Sequence, residues 1–128
     1  MSTRSCATIV NGDRILLVRQ IYKGETFWTF PGGSIEQNET PEQAAIREVK
    51  EESGVDIKIQ HEILQVHSDR INGLYYCFLA VLMNGTPILG YDPELPEDQQ
   101  ELTDVRWVPI EQAKKLPEVE RIISLLNP

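Results

Sequence analysis

The sequence predicts an α/β fold: a single layered domain over residues 1–128, with a mixed, partly antiparallel sheet sandwiched between helices in an α/β/α arrangement. Three observations point there. Short β-rich runs and helical runs follow one another in the order β-β-α-β-β-α, which suits a sheet covered by helices. The turn Asn11-Gly12-Asp13 joins the first two runs as a hairpin, so part of the sheet must be antiparallel. Finally, 128 residues with 41% hydrophobic and 25% charged side chains suffice for one core and are ordinary for a globular chain.

The first run, 6–10, and the second, 14–20, flank that turn. The second is almost continuously apolar, as a strand covered on both faces is. A third run, 25–30, ends at Pro31-Gly32-Gly33. Its Trp28 and Phe30 read as core residues or turn anchors, and Trp28 is also a candidate for substrate contact. The glycines allow a tight turn whose carbonyls can face a cation.

A helix is expected over about residues 41–53. Thr40 supplies the cap hydroxyl, Pro41 the first helical residue and Gln43 the return bond of a capping box, while Gly54 stands just past the end. After it, 55–59 alternates as a half-buried strand, and 63–66 continues it past a bend at 60–62. Residues 67–73 form a polar loop, and 74–83 a second long β run in which one of Tyr75 and Tyr76 can line a pocket. We take Tyr76 as the substrate candidate. The stretch 84–102 is rich in Gly, Pro and acid and lacks periodicity. A strand at 105–108 and two short helices, 109–116 and 117–126, broken at Pro117, close the chain.

The chemistry sits on the first helix. Arg47-Glu48-Val49-Lys50-Glu51-Glu52 carries carboxylates at i, i+3 and i+4, so Glu48, Glu51 and Glu52 share one helix edge. A solvated face with an Arg47–Glu51 pair accounts for part of this, but not for like charges gathered on one edge beside a Gly-rich turn. Such a cluster is costly unless a cation neutralises it. Hard oxygen donors without a dedicated cage suit Mg²⁺, or Mn²⁺, held jointly with substrate phosphates.

Gly33, five residues, Glu39, seven residues and then Arg47-Glu48-Val49-Lys50-Glu51-Glu52-Ser53-Gly54-Val55 resembles the complete signature of the Nudix hydrolases, over 23 of 128 residues. The resemblance, which is to the MutT-like members, implies a Nudix fold and a hydrolase that cleaves a pyrophosphate bond in a nucleoside diphosphate linked to another group. It implies that Glu48, Glu51 and Glu52 hold the metal with the carbonyl of Gly32, and that Glu48 first, or another of them, acts as general base. It further implies that Glu39 orients Arg47, which steadies the glutamates, and that the late acidic loop lends Glu101, or else Glu97. A nucleoside triphosphate is the first substrate expected, with ADP-ribose or a nucleoside diphosphate sugar as the alternative. The markers of the ADP-ribose and dinucleoside polyphosphate subfamilies are not clear between Asp56 and Gly73. A catalytically inactive nucleotide-binding module keeps the same fold, but the intact glutamate set argues against it.

Arg70, in the polar loop, is a candidate phosphate clamp because a guanidinium grips phosphate in bidentate fashion. His61 and His67 have no partner motif and read as surface residues. The net charge of −8 lacks the basic footprint that bulk nucleic acid or an anionic membrane requires; a small nucleotide remains compatible if a metal supplies positive charge. Cys6 and Cys77, the only cysteines, have no CxxC spacing and are expected to be free thiols. No signal-peptide pattern and no 18-residue apolar stretch occurs, so the expected location is cytoplasmic. A monomer or a homodimer is expected.

Overall fold

The computed structural model describes residues 3–68, 73–91 and 95–126. Its elements are β1 (Arg4–Asn11), β2 (Arg14–Tyr22), β3 (Glu25–Thr29), β4 (Gly32–Ser34), α1 (Pro41–Ser53), β5 (Asp56–Ser68), β6 (Gly73–Asn84), a 3₁₀ turn (Glu97–Gln99), β7 (Leu102–Pro109), α2 (Ile110–Ala113) and α3 (Pro117–Leu126). The strands form one sheet in the order β3-β2-β1-β6-β5, with β4 on β1 and β7 on β2. β1 runs parallel to β6, and every other pairing is antiparallel. The mixed sheet expected from the sequence is therefore present.

How β1 divides its partners creates the cleft. It meets β2 only at Val10↔Ile15 and Asn11↔Arg14, beside the hairpin. Beyond that point β1 pairs with β6 on one edge and, at residues 4–6, with β4 on the other, while β2 continues with β3 and β7. Two strands that leave a shared hairpin for different partners must diverge.

Ile15, Leu16, Leu17 and Val18 are all buried, as the apolar run of β2 requires. One layer of core gathers Ile15, Leu17, Phe30 and Cys77 against α2 and α3 through Ala113, Val119, Ile122 and Ile123. The other gathers Ala7, Ile9, Leu16, Phe78 and Ala80 against Ala45 and Val49 of α1. Helices thus cover both faces. Cys6 and Cys77 are buried free thiols, with Sγ atoms 3.1 Å apart on adjacent strands.

α1 starts as its sequence dictates. Gln43 N–H donates to Thr40 Oγ1 at 3.1 Å, and Thr40 N–H donates to Gln43 Oε1 at 2.9 Å. Gly54 ends the helix at φ 75°, a left-handed cap. Residues after β6 add a second closure: Ile88 N–H donates to Ser53 O and Gly90 N–H to Glu52 O, at 2.9 and 2.8 Å. Part of the aperiodic stretch thus binds main-chain acceptors that the helix end leaves open. A Cβ at Gly90 would collide with the Glu51 carbonyl, so this approach requires glycine. The runs 55–59 and 63–66 form one strand, β5, whose pairing with β6 shifts register around His61 and between Glu62 and Leu64. The expected bend is thus a pair of local irregularities rather than a break. No described helix is long and apolar enough to cross a membrane.

Candidate active site

The site assembles where the edge of α1 meets β4 and the mouth of the cleft. Gly33 lies against Glu48: a Cβ added there would stand 2.5 Å from Glu48 Cδ. Gly32 donates its N–H to Glu52 Oε1 at 2.7 Å. The two glycines therefore let β4 approach the carboxylates at main-chain distance.

Arg47 organises the rest. Its Nε and Nη2 grip Glu39 Oε2 and Oε1 at 2.7 and 2.9 Å, a bidentate pair. Nη1 donates to Glu48 Oε1 at 2.9 Å and to Glu51 Oε2 at 3.2 Å, and Nη2 also reaches Ser34 O at 3.0 Å. Glu39 is fixed a second time by Glu36 N–H at 3.0 Å. One guanidinium thus ties the loop before α1, β4 and the helix edge together.

The electrostatics divide the carboxylates. The Arg47 fork, and then the Glu36 N–H, hold the Glu39 carboxyl down at about 2. Burial pushes the Glu52 carboxyl up to about 8, against the Gly32 N–H that lowers it and with further upward push from Glu48. Burial also raises Glu48, against the opposing pull of Arg47. Glu48 and Glu52 thus stand partly desolvated and close together, the arrangement a cation relieves.

No metal-ligating group of three or more His, Cys, Asp or Glu side chains is drawn together among the described residues. Instead the carboxylates turn onto Arg47 and Gly32. The donor chemistry nevertheless fits a hard divalent ion: Glu48, Glu51 and Glu52 are carboxyl oxygen donors on one edge, two of them with a raised pKa that a bound cation would bring down, and the described lining of the wider cavity is without Cys, Met or His. Glu48, Glu51 and Glu52, with main-chain oxygen from the Gly32 turn, are the groups that could hold it.

Two cavities meet here. A cavity of about 290 Å³ opens between the diverging strands, lined by Arg4 and Cys6 of β1, Val18, Gln20 and Tyr22 of β2, Phe27 and Thr29 of β3, and Tyr75 of β6. A wider one of about 720 Å³ runs over the carboxylate edge past Glu36, Arg47, Glu48, Glu51 and Glu52 to Tyr91 and Gln100. Arg4, Gln20, Gly32, Gly33, Glu52 and Glu101 border both.

The expected residues fare differently. Glu39, Arg47, Glu48, Glu51, Glu52 and Gly32 come together, although Gly32 meets Glu52 through its N–H. Glu101 reaches the cleft, its carbonyl accepting from Ile21 N–H at 2.8 Å, whereas Glu97 borders neither cavity. Two aromatic assignments need correction. Tyr76 packs with Phe78 on the α1 side, ring centroids 6.4 Å apart, and its neighbour Tyr75 faces the cavity. Trp28 lies under Arg19 and Arg106, with their guanidinium carbons 5.8 and 5.7 Å from its ring centroid, and Phe27 takes the cavity position. In both strands the alternation of side chains puts the adjacent residue in the cleft. Arg70 lies outside the described residues. Arg4, Gln20, Tyr22 and Phe27 were not anticipated; they become visible only once β1 and β2 are known to part.

The NUDIX domain family model matches residues 1–126. A MutT-like protein of Streptomyces ambofaciens is 31% identical over 110 residues, covering 85% of this chain and 64% of that protein. A shorter stretch of 31 residues is 64% identical to the 8-oxo-dGTP diphosphatase of Proteus vulgaris, over 24% of this chain and 28% of that protein. The chain thus spans less than two thirds of the length of either relative. In three dimensions a NUDIX hydrolase from Nitrosomonas europaea superimposes with a TM-score of 0.77 at 21% identity, over 98% of this chain and 87% of that one, a likeness of fold. A UDP-X diphosphatase superimposes with a TM-score of 0.71 at 26% identity, over 98% of this chain and 60% of that one. With a family model spanning nearly its whole length, and the Gly33-to-Val55 signature folded into one glycine-floored carboxylate edge, the chain belongs to the NUDIX domain family.

Proposed function

We propose that the chain is a divalent-metal-dependent pyrophosphohydrolase that cleaves a nucleoside diphosphate linked to another group, with a nucleoside triphosphate as first substrate. The observation that carries this reading is the carboxylate edge of α1 held open by Arg47 and floored by Gly32 and Gly33. The similarity to an 8-oxo-dGTP diphosphatase and to a MutT-like protein supports the triphosphate. A nucleoside diphosphate sugar is the second reading, favoured by the likeness to a UDP-X diphosphatase.

When bound by Glu48, Glu51 and Glu52, Mg²⁺ or Mn²⁺ would neutralise phosphate charge and lower the pKa of a water. The chain's own groups do the rest. Glu48, steadied by the bond from Arg47 Nη1 to its Oε1, is first among the three glutamates to take the proton of the attacking water. Arg47 restrains Glu48 and Glu51 from one side, and the bidentate bond to Glu39 restrains Arg47 in turn. Glu52, anchored on Gly32 N–H, fixes the spacing between helix and floor. Tyr22, Phe27 and Tyr75 give the smaller cavity the aromatic walls a nucleobase needs.

The test is a panel of canonical and oxidised nucleoside triphosphates, nucleoside diphosphate sugars and ADP-ribose, incubated with Mg²⁺ or Mn²⁺ and with chelator, products identified by chromatography. Metal-dependent release of a nucleoside monophosphate supports the reading. Absence of any pyrophosphate cleavage across the panel overturns it.

A further inference from the structure

We infer that Arg4, at the start of β1, is a phosphate-positioning residue that holds the substrate's phosphate chain at the passage between the two cavities. The inference rests on the proposed pyrophosphohydrolase reading and adds a residue that lies outside the signature.

Position comes first. Arg4 pairs with Tyr75 of β6 on one edge of β1 and with Ser34 of β4 on the other, so its backbone is held from both sides. Its half-buried side chain borders the aromatic cavity and the carboxylate cavity alike. A nucleotide with its base between Tyr22, Phe27 and Tyr75 and its phosphates over Glu48 and Glu52 would cross the border of the two cavities, where Arg4 is the one cation among the described residues common to both linings.

Availability comes second. Among the described residues, only Arg4 and Arg47 supply a positive charge to the lining of the wider cavity, against Glu36, Glu48, Glu51, Glu52 and Glu101. Arg47 is fully engaged with Glu39, Glu48, Glu51 and Ser34 O. No hydrogen bond or ion pair engages the Arg4 side chain among the described residues. A guanidinium half withdrawn from bulk water, with its fork of donors unspent and bordering both cavities, suits the planar, bidentate recognition of a phosphate.

The test compares wild type with Arg4→Gln and Arg4→Lys in three measurements. Binding of the four common nucleosides and their diphosphates is measured by calorimetry in chelator. Steady-state kinetics is measured on whichever panel substrate the wild type cleaves, and Mn²⁺ affinity by electron paramagnetic resonance without nucleotide. Arg4→Gln is expected to raise KM and the dissociation constant of the diphosphates by about 10- to 100-fold, the range of a lost hydrogen bond to a charged group. Binding of nucleosides should stay unchanged, and Arg4→Lys should recover part of the loss. Mn²⁺ affinity should not weaken, because a repelling cation has been removed. An unchanged KM and unchanged diphosphate preference in a folded Arg4→Gln protein overturns the inference while leaving the hydrolase reading intact. So does equal weakening of nucleosides and diphosphates, which would mark a merely structural role. A wild type that cleaves nothing in the panel overturns the hydrolase reading itself, and the calorimetric preference for diphosphates then decides on Arg4 alone.

Discussion

A methyl group at Gly33 separates the folding of this domain from its chemistry. In Gly33→Ala the new Cβ would lie 2.5 Å from Glu48 Cδ and Oε2 and 2.7 Å from Oε1. Ordinary carbon contacts lie near 3.5–4.0 Å, so the carboxylate must retreat by about 1 Å. All three clashing atoms belong to the end of a flexible side chain, and Gly33 does not occupy the left-handed backbone region. The fold can therefore absorb the change. The cost is the Arg47 Nη1 to Glu48 Oε1 bond, about 1–3 kcal/mol, reduced by the roughly 0.4–1 kcal/mol that replacing glycine gains through the unfolded chain. A displacement of about 1 Å at a reacting group, by contrast, costs on the order of 10²-fold in rate. Gly32→Ala provides the opposite case, since its Cβ would strike Ser5 O and Cys6 Cα, main-chain atoms of β1 that cannot move aside. Thermal melts and steady-state turnover on the panel substrate should show Gly33→Ala melting within several degrees of wild type with activity down about 100-fold. Gly32→Ala should melt much lower. If Gly33→Ala keeps activity within threefold, or melts as low as Gly32→Ala, the packing of Glu48 over Gly33 does not control the reaction.

Glu52→Gln keeps the shape of the side chain and removes the carboxylate that would face the metal; turnover should fall by about 10²-fold or more with the circular dichroism spectrum unchanged, and near-normal activity would remove Glu52 from the site. The Glu39–Arg47 pair has a pH signature. Because the folded carboxyl is held at about 2 against 4.5 for the free group, its stabilisation is fully present above pH 4.5 and fades as pH falls toward 2. After allowance for solvent screening we expect roughly 1–2 kcal/mol, so wild type should melt several degrees above Glu39→Gln at pH 7, with the gap narrowing steadily as pH falls from 4.5 toward 2. A gap independent of pH would show that the pair acts by packing rather than by charge. Divalent ions should protect the folded state through the same carboxylate edge, raising the melting temperature of wild type more than that of Glu52→Gln. Equal shifts in the two proteins would place the ion elsewhere.

What could be read before the structure was known was local. The capping box of Thr40 and Gln43, Pro41 and the Gly54 cap all act within a few residues, so the bounds of α1 followed from the chain alone. The shared edge of Glu48, Glu51 and Glu52 followed from helical geometry, and the Arg47–Glu51 contact from its i,i+4 spacing. What could not be read depended on partners far away in sequence. Whether Tyr75 or Tyr76 enters the cleft is set by the parallel register that pairs Arg4 with Tyr75 and Ser5 with Tyr76, and nothing near either tyrosine reveals it. Trp28 and Phe27 are neighbours in β3, and strand parity gives the cavity to Phe27 and leaves Trp28 under two arginines. Arg4 carries no motif, because its position arises from β1 having β4 on one edge and β6 on the other.

The hydrogen bonds that carry Ile88 and Gly90 onto the end of α1 bear on how such a domain can diversify. Both donors are main-chain groups, so the bonds themselves do not depend on the side chains at 88 and 89, whereas at Gly90 only a hydrogen fits. Ile88, Leu89 and Tyr91 remain exposed, and Tyr91 borders the wider cavity. Mutation can therefore rewrite the rim of the wider cavity while the backbone beneath it stays pinned to Glu52 and Ser53. A lineage built this way can vary that rim without disturbing the carboxylate edge of α1.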